Sequence, residues 1–177
     1  MFALARGVAG LALVLSVTAT LAQAPTRLPN AVRKEIGVMM KTCQDAGGKT
    51  AKSPGLLTVA DLTGDGKPDY IIDQSAFVCE GAASMFSGSG GSQMLVYVGS
   101  PDGQAKQVFS AGAHGVRVNS MFKPAKVQIM VGGPLCGQKV AANASTASFK
   151  LCWRPLVWDE HAQKMDYGPL SQIQPVK

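Results

Sequence analysis

Apolar residues recur first at helical spacing. From Asn30 onward Val32, Ile36, Met39 or Met40, and Cys43 fall on one stripe before Gly47-Gly48 interrupts it, which predicts a helix with Asn30 as its cap. Beyond that point the period shortens. Gly55–Ala60 and Tyr70–Ile72 are brief, apolar and rich in β-formers, and further runs follow at Gln93–Val98, Lys106–Ser110, Gly115–Asn119 and Val127–Val131. Turn formers separate them, among them Ser100-Pro101-Asp102-Gly103 and Gly132-Gly133-Pro134. A last hairpin is expected from Ser148–Trp158 and Lys164–Tyr167 around Asp159–Gln163, with Pro155 marking an edge position or a bulge. Short strands at this spacing, with one N-terminal helix laid on them, predict the α+β class with a mainly antiparallel sheet.

The first 22 residues fit none of these elements. Arg6, an apolar run from Gly7 to Val17 and the small residues Ala19, Thr20 and Ala22 read as an export signal, spanning residues 1–22. The run is too short to cross a bilayer, which takes roughly 20 residues, so cleavage is expected and no transmembrane anchor in the mature chain. Gln23–Leu28 is a proline-containing leader, and 29–177 is expected to form a single globular domain.

Export changes the reading of the cysteines. Cys43, Cys79, Cys136 and Cys152 make an even set in an oxidising compartment, the periplasm or the medium, and two disulfides are expected. Of the three possible pairings, Cys43 with Cys79 and Cys136 with Cys152 each close a local segment. No Cys-x-x-Cys spacing suggests zinc.

The formal charge of +6 falls to +5 without Arg6, since 16 basic residues then face 11 acidic ones. Lys123, Lys126, Lys139, Lys150 and Arg154 form no dense run and do not interleave with aromatics, so nucleic acid is not an expected partner.

The densest chemistry lies between two strand segments, in Asp61-Leu62-Thr63-Gly64-Asp65-Gly66-Lys67-Pro68-Asp69. Oxygen donors stand at the first, third, fifth and ninth positions, and a backbone carbonyl is available at the seventh. Calcium takes roughly six to eight oxygens in such a loop. Asp61, Thr63, Asp65 and Asp69 would supply side chains and Lys67 its carbonyl, with Gly66 permitting the sharp turn. An EF-hand requires a bidentate Glu at the twelfth position and flanking helices; here that position is Ile72 and the flanks are strands.

The stretch from Asp61 to Ile72 resembles the calcium-binding hairpin of FG-GAP and VCBS repeats, whose pattern is Asp-x-Asn-x-Asp-Gly-x-x-Asp followed by an apolar strand. Thr63 stands where that family usually carries Asn or Asp. The resemblance covers about a dozen residues in a single copy and implies the hairpin and a bound Ca2+, not a propeller, which needs several blades.

Other candidates are less defined. The Gly81–Ser92 segment, rich in glycine and serine, predicts a surface loop without the Gly-Lys-Ser/Thr ending of a nucleotide loop. His114 and His161 fall in turns. Trp153 and Trp158, five apart on one strand, should face opposite sides, so at least one anchors the core.

The expected function is an exported calcium-binding protein with a structural or binding role. One alternative is an envelope interaction or inhibitor protein docking on a protein or glycan through the Gly/Ser loop or the tryptophan hairpin. The other is a metal-dependent hydrolase, for which no nucleophile–base spacing accompanies the acids.

Overall fold

The chain is described by a computed structural model covering residues 27–176. The export signal 1–22 and residues 23–26 of the leader lie outside the described residues. Helix α1 (Asn30–Asp45) follows the predicted stripe and buries Val32, Met39 and Cys43. Its cap differs from the expectation: Pro29 holds that position without a side-chain hydrogen bond, and Asn30 is already helical, its side-chain oxygen accepting from the Arg33 guanidinium.

The strands are β1 (Lys49–Thr50), β2 (Leu57–Ala60), β3 (Asp69–Asp73), β4 (Cys79–Glu80), β5 (Ser92–Gly99), β6 (Ala105–Ala113), β7 (Gly115–Asn119), β8 (Lys126–Gly132), β9 (Leu151–Asp159), β10 (Lys164–Tyr167) and β11 (Gln174–Pro175). All pair antiparallel. They form not one sheet but a four-stranded sheet ordered β2-β3-β5-β6, a second ordered β10-β9-β8-β7 with β11 also on β9, and a small β1-β4 pair. The chain passes between the two larger sheets at His114, whose backbone amide donates to the Met130 carbonyl at 2.7 Å. This histidine is thus half-buried at a corner of the fold.

The central strands of the four-stranded sheet, β3 and β5, are covered on both faces. Along β3, Tyr70 and Ile72 join Val32, Met39, Leu95 and Tyr97 in a core beneath the helix, whereas Ile71 joins Met94, Val96, Val127, Ile129 and Leu156 in a core between the sheets. That is why Tyr70-Ile71-Ile72 reads as an unbroken apolar run: with no face in water, alternation has no polar half. Each disulfide serves one layer. Cys43–Cys79 ties the helix to β4 within the first core, and Cys136–Cys152 lies in the second. Both pairs are those expected.

Pro155 is not at an edge. Strand β9 lies inside its sheet, with β8 on one side and β10 and β11 sharing the other. The Pro155 carbonyl accepts from Gly168 N–H at 2.8 Å. In an antiparallel strand a residue's amide and carbonyl point the same way, so the missing N–H falls in the gap between the β10 and β11 ladders. The two tryptophans separate as expected: Trp158 packs on the inter-sheet core, while Trp153 lies under the Arg117 guanidinium at 4.4 Å.

In the Gly81–Ser92 segment, Phe86 packs edge-on against Phe77 with centroids 4.9 Å apart. Gly91 then turns the chain with φ 89°, and a side chain there would collide with the Ala113 carbonyl.

Because both faces of β3 are covered, Ile71→Ala and Ile72→Ala should each destabilise the fold by about 3 kcal/mol. Urea midpoints will read this. A near-neutral result at either position would mean that one face of this sheet meets solvent.

Candidate functional site

The acid-rich loop joins β2 to β3, beyond the Ala60–Asp69 pair that closes their ladder. Its two inner glycines have φ values of 89° at Gly64 and 79° at Gly66, in the left-handed region that glycine enters without a Cβ penalty. These turns wrap the chain around Asp61, whose carboxylate accepts from Gly64 N–H at 2.6 Å and from Gly66 N–H at 3.0 Å. The Asp61 carbonyl accepts from Ala125 N–H at 2.8 Å, fastening the loop to the turn between β7 and β8.

Asp65 is partly exposed and engaged by one neighbour. The Lys67 amide donates to it at 2.8 Å and the Lys67 ammonium at 2.7 Å. The ammonium is the main reason the carboxyl is held below its ordinary pKa, against the opposing effect of burial. The Lys67 carbonyl was the expected ligand, yet the side chain is what meets the acid.

Asp69 is the buried member, with no solvent exposure. One oxygen accepts from Leu62 N–H at 2.8 Å and Thr63 N–H at 3.2 Å, and the other from Gly99 N–H at 2.9 Å. Burial pushes its carboxyl pKa up; the Gly99, Leu62 and Thr63 amides work in the opposite direction, and the Asp65 charge adds to the rise. Close approach makes this possible: a side chain at residue 99 would run into the Pro68 carbonyl. Asp69 therefore binds the start of the loop to the end of β5.

Thr63 is the unexplained donor. Its hydroxyl is buried and has no hydrogen-bond partner. It lies near enough to Asp65 to lower that carboxyl slightly, but short of hydrogen-bond geometry, so the hydroxyl is unsatisfied. Among the described residues no three His, Cys, Asp or Glu side chains converge as a metal centre would require. The five expected positions are thus adjacent without forming a three-carboxylate cage. Asp61 and Asp65 bond to groups of the loop itself, and Asp69 is committed to the interior. The donors left on the loop, two carboxylates, a hydroxyl and the Lys67 carbonyl, are of the oxygen type that a hard cation takes.

Pattern reading missed the role of Gly99. The only available signal was a glycine at the end of an apolar strand, which has many uses.

Removing the buried carboxylate should cost more than removing its charge. Asp69→Ala leaves three amides without an acceptor and should destabilise by about 3 kcal/mol or more; Asp69→Asn keeps an acceptor but turns an NH2 group toward an amide, costing about 1–3 kcal/mol. Urea denaturation should rank wild type above Asn above Ala. An alanine variant within about 1 kcal/mol of wild type would remove Asp69 from this role.

The chain matches no protein-family model, no curated protein and no solved structure.

Proposed function

We propose that this is an exported domain whose Asp61–Asp69 loop takes up calcium, and that the ion reinforces a surface used for structure or binding, not catalysis. The observation that carries the reading is the Thr63 hydroxyl, buried without a partner between two carboxylates in sequence. An unsatisfied buried polar group costs about 1–3 kcal/mol, and a cation coordinated by the hydroxyl oxygen would give its lone pair a partner and offset part of that cost. The Gly64 and Gly66 amides already orient Asp61, leaving further lone pairs free. The Lys67 ammonium balances Asp65 as a monovalent charge, a role that calcium would take over.

Two available carboxylates and a competing ammonium imply weak binding, on the order of 10⁻⁴–10⁻³ M, the range of extracellular modules. Such affinity suits a compartment open to external calcium. The two disulfides suit the same oxidising setting, periplasmic or secreted. The ion would strengthen a hairpin that already closes through Asp69, so the apo-protein is expected to be folded.

Calorimetric titration with calcium, magnesium and lanthanum tests this directly. Calcium at tenfold its dissociation constant should stabilise by about 1.4 kcal/mol and raise Tm by about 3–5 °C. Asp65→Asn should abolish the rise, and Lys67→Met should tighten binding severalfold by removing the competitor. No heat and an unchanged Tm at about 10 mM calcium, tenfold the weaker of these dissociation constants, would defeat the proposal.

A further inference from the structure

The turn between β7 and β8 presents a different chemistry from the acidic loop beside it. Met121 is 87% exposed and Phe122 44% exposed. Two large apolar side chains therefore stand at adjacent positions, Met121 almost wholly in water and Phe122 nearly half so. Lys123 and Lys126 flank them and are also exposed. The Lys126 ammonium lies 3.8 Å from the Phe122 ring centroid, so cation and aromatic form one patch. Residues 119–126 include no acid. The groove that adjoins the turn, of about 980 Å³, has no Asp or Glu in its lining either.

The turn is held firmly from behind. Ala125 is buried and its amide donates to the Asp61 carbonyl at 2.8 Å. Pro124 rests against Gly64, where a Cβ would meet it at 3.4 Å. Of the acids on the neighbouring loop, Asp61, which adjoins the turn through its carbonyl, has its carboxylate met by the Gly64 and Gly66 amides, and Asp65 is paired with Lys67. The exposed apolar pair is thus carried on an anchored base.

From this arrangement we infer that the β7–β8 turn is a docking element for an anionic lipid bilayer. Met121 and Phe122 enter the interface, and Lys123 and Lys126 meet lipid phosphates. A protein partner would need a pocket shaped to an outward-pointing Met–Phe pair. A bilayer accepts such a pair without shape complementarity and supplies the matching negative charge. One apolar pair with two cations gives reversible association, not anchoring. The inference does not rest on calcium binding.

Vesicle cosedimentation in the presence of a chelator provides the test. The chain and its variants are compared throughout, so that any contribution of residues 1–26 is common to all. Vesicles containing phosphatidylglycerol should bind the wild type at least tenfold better than phosphatidylcholine alone at about 0.1 M salt. Lys123→Gln with Lys126→Gln should weaken that binding by about 30-fold, and Met121→Ser with Phe122→Ser by about tenfold. All four positions are exposed, and near-ultraviolet circular dichroism should show each variant folded.

Equal binding to the two kinds of vesicle would overturn the inference. So would a Met121→Ser/Phe122→Ser variant that binds as well as wild type. If soluble polyglutamate displaces the protein completely and only the lysines matter, the patch recognises an acidic polypeptide and the bilayer assignment is wrong.

Discussion

A carboxylate cut off from water must be compensated by its surroundings, and Asp69 meets that requirement with three backbone amides drawn from two separate parts of the chain. Leu62 and Thr63 belong to the loop that follows β2, and Gly99 ends β5. The group therefore does more than close a turn. It fixes where the loop starts relative to the sheet, and it depends on a glycine at 99 because the Pro68 carbonyl occupies the space of a Cβ. Burial opposes ionisation and the amides favour it, so the compensation remains incomplete and the carboxyl pKa stays raised.

The sheet that carries Asp69 is covered twice, and this explains how a modest chain makes two cores. Tyr70 and Ile72 serve the layer beneath the helix, and Ile71 serves the layer between the sheets. One disulfide lies in each core. Each constrains an unfolded segment closed by 36 or 16 residues, contributing on the order of 3–4 kcal/mol. A second sheet bends away through His114 and is stitched to the first where Phe109 of β6 meets Tyr167 of β10, with centroids 5.4 Å apart.

The acidic loop and the apolar turn share a wall: the Asp61 carbonyl bonded to Ala125, and Gly64 resting on Pro124. The acid-bearing loop and the lysine-bearing turn are thus held against each other by uncharged contacts, which do not titrate or screen. Charge on the loop is kept local, because Asp61 is met by amides and Asp65 by Lys67.

Local pattern was enough for the helix, for the strands from β5 to β10 to within a few residues, and for the hairpin around Asp61–Asp69, because period and turn chemistry are properties of neighbours. The cysteine count pointed to two disulfides and left three pairings open; the pairs that close local segments are the ones formed. It did not reveal that the strands divide into two sheets, since an apolar run such as Tyr70-Ile71-Ile72 is equally consistent with several ways of being covered. Nor did it separate the three aspartates: their spacing is that of a cation loop, but which carboxylate turns inward depends on where Gly99 arrives, about thirty residues later in the chain. Proline 155 shows the same division. Its missing amide was legible as a break in a ladder, and only the arrival of β10 and β11 on the same side decided that the break falls inside the sheet, not at its edge.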